Sequence, residues 1–305
     1  MPAGSGRFRS DEVAEAASSA TMPKMAVSRW RMLGLSTAIV ALQGCAPPLS
    51  TFQTARVPPK GTWSAAAGFE GSIPLGTLGD FVNSGENLGS RAGHGETLSS
   101  EEKWQVFGAG MQLLLSPPSV GYHFMAAYVP TDRLEVSLRY AGSALRLGGR
   151  YQLLYRETAP FDMNVGLGIA RYSYGIPMGS YIPVLKVDSF SRWQIDVPLL
   201  IGMQNRWFRA WTGPRFVATF FDAGLRLETS SQTLGTTLSG TAYFVGGQGG
   251  LGFGYRWLFV AFELTVVEML GSAQANAPGI TDSPTRDLAL SGLVVYPSLG
   301  LMGEF

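Results

Sequence analysis

Arg133-Leu134-Glu135-Val136-Ser137-Leu138-Arg139-Tyr140 is the stretch on which the fold turns. Leu134, Val136, Leu138 and Tyr140 share one parity; Arg133, Glu135, Ser137 and Arg139 share the other. Successive side chains of a strand point to opposite faces, so a period of two reads as a β-strand with one apolar and one polar face. A soluble sandwich and a membrane barrel both show such alternation, and strand length and loop order separate them.

The pattern recurs along the chain. Leu145, Leu147, Tyr151, Leu153 and Tyr155 alternate with Arg146, Gly148, Arg150 and Gln152. Phe161, Met163, Val165, Leu167 and Ile169 alternate with Asp162, Asn164, Gly166 and Gly168. Trp193 to Ile201 and Leu258 to Val266 do the same, with Asp196 and Glu263 on the polar parity. Ten strands are expected, at 62–72, 119–129, 133–142, 145–156, 161–174, 191–204, 207–221, 239–255, 258–270 and 288–305. Most exceed the roughly five to six residues of soluble strands and reach the about 9 to 11 that a tilted spanning strand needs. An even count suits an antiparallel ring. The expectation is an all-β, antiparallel up-and-down transmembrane β-barrel of about ten strands, within a range of roughly 8 to 12.

Connections alternate as well. Those after even strands are tight, at 130–132, 157–160, 205–206 and 256–257. Those after odd strands are long and rich in Gly, Ser, Thr and Asn, at 73–118, 175–190, 222–238 and 271–287, with 142–144 the one short exception. Short periplasmic turns and long outer loops are the barrel arrangement. Segment 101–115, ending at Ser116-Pro117-Pro118, is assigned to the first long loop, as a short helix or a strand extension; a spanning segment there would change the strand count. Trp63, Tyr128, Tyr155, Phe161, Trp207, Tyr255 and Trp257 gather beside the tight turns, as an interfacial aromatic belt would.

The first 44 residues read as an extension and a leader, with Met25 the expected start. Arg29 and Arg31 precede an apolar run from Met32 to Leu42, long enough for a secretory signal and short of the roughly 20 residues of a spanning helix. The run ends in Leu42-Gln43-Gly44-Cys45, which resembles a bacterial lipobox. That resemblance implies diacylglycerol and an N-acyl lipid on Cys45, with Ala46 favouring the outer membrane over retention in the inner one. Residues 45–61, with Pro47, Pro48, Pro58 and Pro59, are expected to form an extended tether before a barrel at 62–305. The chain ends in Phe305, with Leu301 and Leu299 on its parity; this resembles the C-terminal assembly signal of outer-membrane barrels and departs from it at Gly303 and Pro297.

Together these features make the chain resemble small outer-membrane β-barrel lipoproteins. The resemblance implies fold and location, the bilayer, lipoprotein-processing machinery and barrel-assembly machinery as partners, and no activity.

Composition excludes other classes. Only 15% of the 305 residues are charged, and 23 Lys+Arg stand against 22 Asp+Glu, so the basic excess of a nucleic-acid binder is missing. The 39 Gly show no collagen period. One Cys and two His leave neither an internal disulfide nor an ordinary zinc site. Gly247-Gln248-Gly249-Gly250-Leu251-Gly252 fits G-x-G-x-x-G, but Phe253-Gly254-Tyr255 continues a strand where a nucleotide site needs a helix. No G-x-S-x-G elbow occurs; His94 falls in the first long loop and His123 on the lumen parity of strand two as a structural side chain. No enzyme, metal or organic cofactor is expected, and no oligomeric state follows.

The informative chemistry is the inward charge: Glu135, Arg139, Arg146, Arg150, Asp162, Asp196, Arg209, Arg215 and Glu263. A small barrel is only wide enough for side chains to fill, so ion pairs there would plug and stiffen it. The function expected is structural, or that of a narrow anion-favouring pore. The alternatives are a barrel whose long loops bind an envelope partner and a lipid-tethered soluble periplasmic β-domain.

Overall fold

Ten antiparallel strands close into a single ring in the computed structural model, which describes residues 49–94, 96–142, 144–172, 181–229, 232–280 and 282–305. The order is β1 (Trp63–Leu75), α1 (Thr77–Gly93), α2 (Ser100–Leu115), β2 (Ser119–Thr131), β3 (Leu134–Ala141), β4 (Ala144–Leu154), β5 (Asp162–Tyr172), β6 (Leu185–Gln204), β7 (Phe208–Glu228), β8 (Thr233–Tyr255), β9 (Leu258–Asn276) and β10 (Thr285–Glu304). Every strand pairs with its chain neighbours, and β1 closes on β10 from Ser64↔Glu304 to Leu75↔Leu293. Trp63 and Phe305 finish the seam by exchanging backbone bonds of 3.0 and 2.8 Å. Over the height that all ten strands share, closure leaves no sheet edge with unpaired backbone, which is what allows a β-structure to sit in lipid. The fold is the expected up-and-down barrel, with the expected ten strands.

The wall is uneven. Strands β1 to β5 run 8 to 13 residues, and β6 to β10 run 19 to 23. Two expected loops are therefore mostly strand: most of 222–238 is the upper part of the β7–β8 hairpin, and 271–276 extends β9. The chemistry of the two faces inverts along these tall strands. Low on β8, Tyr243, Val245, Leu251, Phe253 and Tyr255 point out and are exposed; higher up, Thr237 and Ser239 point out while Leu234 and Leu238 are buried within. The outward apolar stretch, Trp193 to Met203 on β6 and Leu293 to Leu301 on β10, spans the length a tilted strand needs to cross about 25 Å of hydrocarbon.

Both helices lie in the β1–β2 connection, so 101–115 is helix and adds no strand. Ser99 starts α2 with a reciprocal cap: Ser99 Oγ accepts from the Glu102 N–H at 3.2 Å, and the Ser99 N–H donates to Glu102 Oε2 at 2.8 Å. From Val106 to Leu115 α2 is buried on every side, in one apolar cluster with Phe221, Leu225, Phe244 and Met269 of the tall wall. Helix α1 lies against it, so close at Gly85 that an added Cβ would fall 2.4 Å from the Ala109 Cβ. The other opening is filled by residues 49–57, part of the stretch expected as an extended tether before the barrel. All but Arg56 are buried in the lumen.

Candidate functional site

The lumen holds residues 49–57 toward the tight-turn end, charged side chains beside and above them, and the helices at the other end. Alternation places the charges, because every second residue of each strand must point inward. All nine charges expected in the lumen are buried there. Arg150 holds Glu135 through two bonds, Nε to Oε1 at 2.8 Å and Nη2 to Oε2 at 2.6 Å. Arg146 holds Asp196 the same way at 2.8 and 3.0 Å, and Arg215 adds a third bond to Asp196 Oδ2 at 3.1 Å. Arg209 grips Glu304 at 2.5 and 2.9 Å, its guanidinium 3.8 Å from the Phe259 ring centre. Fork-shaped guanidinium bonds of this kind are the strong and directional ones.

Two of the nine do not form ion pairs among the described residues. Asp162 Oδ1 accepts the Arg156 N–H at 2.9 Å. Glu263 accepts from the Thr51 N–H at 2.7 Å, Thr51 Oγ1 at 3.1 Å, the Phe52 N–H at 3.1 Å and Trp211 Nε1 at 3.0 Å. Arg139 pairs with Glu70, a lumen carboxylate that the alternation argument did not pick out. Glu304 and Arg192 were missed too. Arg192 lies 4.6 Å over the Tyr172 ring and donates from Nη1 to the Leu115 carbonyl at 2.8 Å, a cation at the negative end of α2.

Neither histidine is arranged for proton transfer. His123 is fully buried, with Nδ1 3.5 Å from Glu70 Oε2, its ring 4.7 Å from Phe52 and, among the described residues, no hydrogen bond at either nitrogen. His94 Nδ1 lies 2.8 Å from the Ser90 carbonyl just past the end of α1. Among the described residues no three His, Cys, Asp or Glu side chains group as metal ligands. The glycine-rich run 247–252 lies inside β8, and no helix follows it. Cys45 lies outside the described residues.

On the outer face, Trp63 packs on Tyr128 at 4.7 Å, Trp207 stacks on Tyr255 at 4.3 Å and Trp257 meets Phe305 at 5.7 Å, all at the tight-turn end. Leu299 and Leu301 point outward and are exposed. No protein-family model and no curated protein matches the chain. Among solved structures it is similar to Ail, the attachment invasion locus protein of Yersinia pestis, at 10% identity over 81% of this chain and 99% of that one, with a TM-score of 0.29. It is also similar to the outer membrane protein OprG from Pseudomonas aeruginosa, at 10% identity over 81% and 97%, TM-score 0.34. The N-terminal β-barrel domain of Pseudomonas aeruginosa OprF matches at 12% identity over 81% and 100%, TM-score 0.24. At such scores these likenesses carry no functional argument, and the class of the protein, a closed antiparallel β-barrel, stands on its own ring of hydrogen bonds.

Proposed function

We propose that the chain is an outer-membrane β-barrel that is sealed through its lumen, with a structural role and no catalysis. One observation carries the reading: the wall is apolar outside and charged inside over a single membrane-thick band, while residues 49–57 and α1–α2 fill both ends. A soluble β-domain would place that apolar face inward, so the tethered-domain alternative leaves a ring of exposed Leu, Val, Phe and Trp without a solvent. Gel mobility in detergent, boiled against unboiled, tests the barrel; an unchanged mobility and release by carbonate washing would return the soluble domain. Planar-bilayer recording tests the seal. The intact chain is expected to give no steady conductance, and a conductance that Arg150→Ala abolishes would restore the narrow anion pore.

The lipid anchor is the second part of the proposal, for chains in which residues 49–57 lie outside the lumen, and the lipobox at Leu42-Gln43-Gly44-Cys45 supports it. A binding role has support of its own. Above the apolar band, a groove of about 420 Å³ on the outside of the tall wall is lined by Ser189, Asp222, Thr237, Ser239, Gln274 and Asn276. Such a raised polar wall suits contact with another envelope component, and Asp222→Ala with Gln274→Ala is expected to weaken that contact while assembly persists.

A further inference from the structure

Residues 49–57 belong to no strand, yet six of their backbone groups are bonded by side chains of the lumen. Thr265 Oγ1 donates to the Leu49 carbonyl at 3.2 Å. Glu263 accepts two successive backbone N–H groups, those of Thr51 and Phe52. The Thr54 carbonyl accepts from Asn164 Nδ2 at 3.0 Å and from Arg150. Gln152 acts as a substitute peptide unit: its Oε1 accepts from the Val57 N–H at 2.5 Å while its Nε2 donates to the Ala55 carbonyl at 3.2 Å. Bonds to the main chain are open to any peptide that follows the same backbone path.

Selectivity comes from two further features. The Phe52 side chain is fully buried in a cluster with Met125, Trp211, Phe259 and Met302. Its φ of 52° is left-handed, a conformation that a bulky residue holds only where its surroundings over-determine it. Glu263, buried and without an ion pair among the described residues, would keep only the hydrogen bond from Trp211 if the segment left. A buried carboxylate in that state is costly. The lumen wall is thus complementary to a peptide, and incomplete without one.

We infer that the tight-turn end of the lumen is a binding site for an irregular peptide that turns at an aromatic residue, filled in cis by Leu49–Val57. The covalent link is exposed and separate from the contacts: Pro59, Lys60 and Gly61 lie at the surface, with Gly61 at φ 86°. This inference stands on the lumen geometry and is independent of the membrane location proposed above.

The test uses the full chain with Cys45→Ser, so that no acyl group retains the fragment, and a site-specific protease sequence inserted between Pro59 and Lys60. After cleavage the N-terminal fragment should co-purify one to one with the barrel. A fluorescent synthetic peptide of residues 49–57 should exchange into the site, and a scrambled peptide should not. Phe52→Ala and Glu263→Gln should each speed fragment release at least about tenfold. Gln152→Ala serves as a further variant should either fail to fold. Immediate loss of the fragment from a nicked chain that keeps its unboiled gel mobility would overturn the inference, as would equal retention in every folded variant. The mobility reports the barrel separately, so failure of the peptide site and failure of the barrel read differently.

Discussion

Asp196 shows how much the lumen depends on single groups. It is the shared acceptor of Arg146 and Arg215, and Arg215 in turn reaches Gln248 Oε1 at 2.7 Å. Asp196→Asn leaves two buried guanidinium groups facing a neutral amide; breaking a buried pair costs about 3 to 5 kcal/mol. The temperature at which the unboiled gel band converts to the boiled one should fall clearly in that variant. Arg226→Ala is the contrast, because Arg226 makes a surface pair with Asp188 at 2.5 Å, and such pairs are worth about 0 to 1 kcal/mol. The nine lumen charges could be placed by alternation because outward apolar residues flank most of them, as Leu145 and Leu147 flank Arg146 and as Ile195 and Val197 flank Asp196. Glu70 could not, since it follows Ser64-Ala65-Ala66-Ala67-Gly68, where small residues on both faces erase the period. Arg192 lies just where the wall's chemistry inverts, so its parity carries no contrast on one side.

Among the elements, α2 was the hardest to read, for a physical reason. A helix packed all round has no polar face and so no stripe of period 3.6. The signal available was its start, Ser99 followed three residues later by Glu102, a reciprocal cap written in the sequence. The bond from the Ser99 backbone N–H holds the Glu102 carboxyl below the usual carboxylate range, with the Ser99 hydroxyl and Arg91 adding to it. A depressed value means that the contribution is present above the ordinary carboxylate pKa and is lost as pH falls through the folded value. The protection factor of the Lys103 amide, its exchange rate relative to the free peptide at the same pH, should fall over that acid range, and Glu102→Gln should remove this pH dependence. Helix α1 depends on Gly85 instead. Gly85→Ala gains about 1 kcal/mol of helix propensity but drives a Cβ into Ala109, whereas at Gly93 the nearest atom stands at 3.5 Å. Trypsin should cut at Arg91 and Lys103 faster in Gly85→Ala, and no faster in Gly93→Ala.

For the whole molecule, the inversion of the wall's two faces sets the membrane boundary. In a Cys45→Ser background, Thr237→Cys should react with a membrane-impermeant maleimide on intact cells and Val245→Cys should not; equal labelling would remove the band from the bilayer. The lipid anchor meets a limit of length. Leu49 is bonded to Thr265, and the β9 stretch from Thr265 back to Leu258 at the tight turn covers roughly 23 Å, or about 16 Å along the axis of a strand tilted by about 45°. The four residues from Cys45 to Leu49 reach at most about 14 Å. Acyl chains on Cys45 in the periplasmic leaflet therefore require residues 49–57 to leave the lumen. Mass spectrometry of the purified chain should find Cys45 free wherever that segment is protected from protease, and acylated only where it is cut.

Ten strands, their faces and the nine lumen charges followed from the sequence alone, because alternation is a local property and lipid enforces it on every spanning residue. The height of β6 to β10 did not follow, since above the membrane the outward residues are Ser, Thr and Gln and resemble loop. What fills the barrel was decided only by tertiary structure. Residues 49–57 carry no period and α2 no stripe, and both are ordered by partners more than forty residues away, such as Glu263, Gln152 and Phe221.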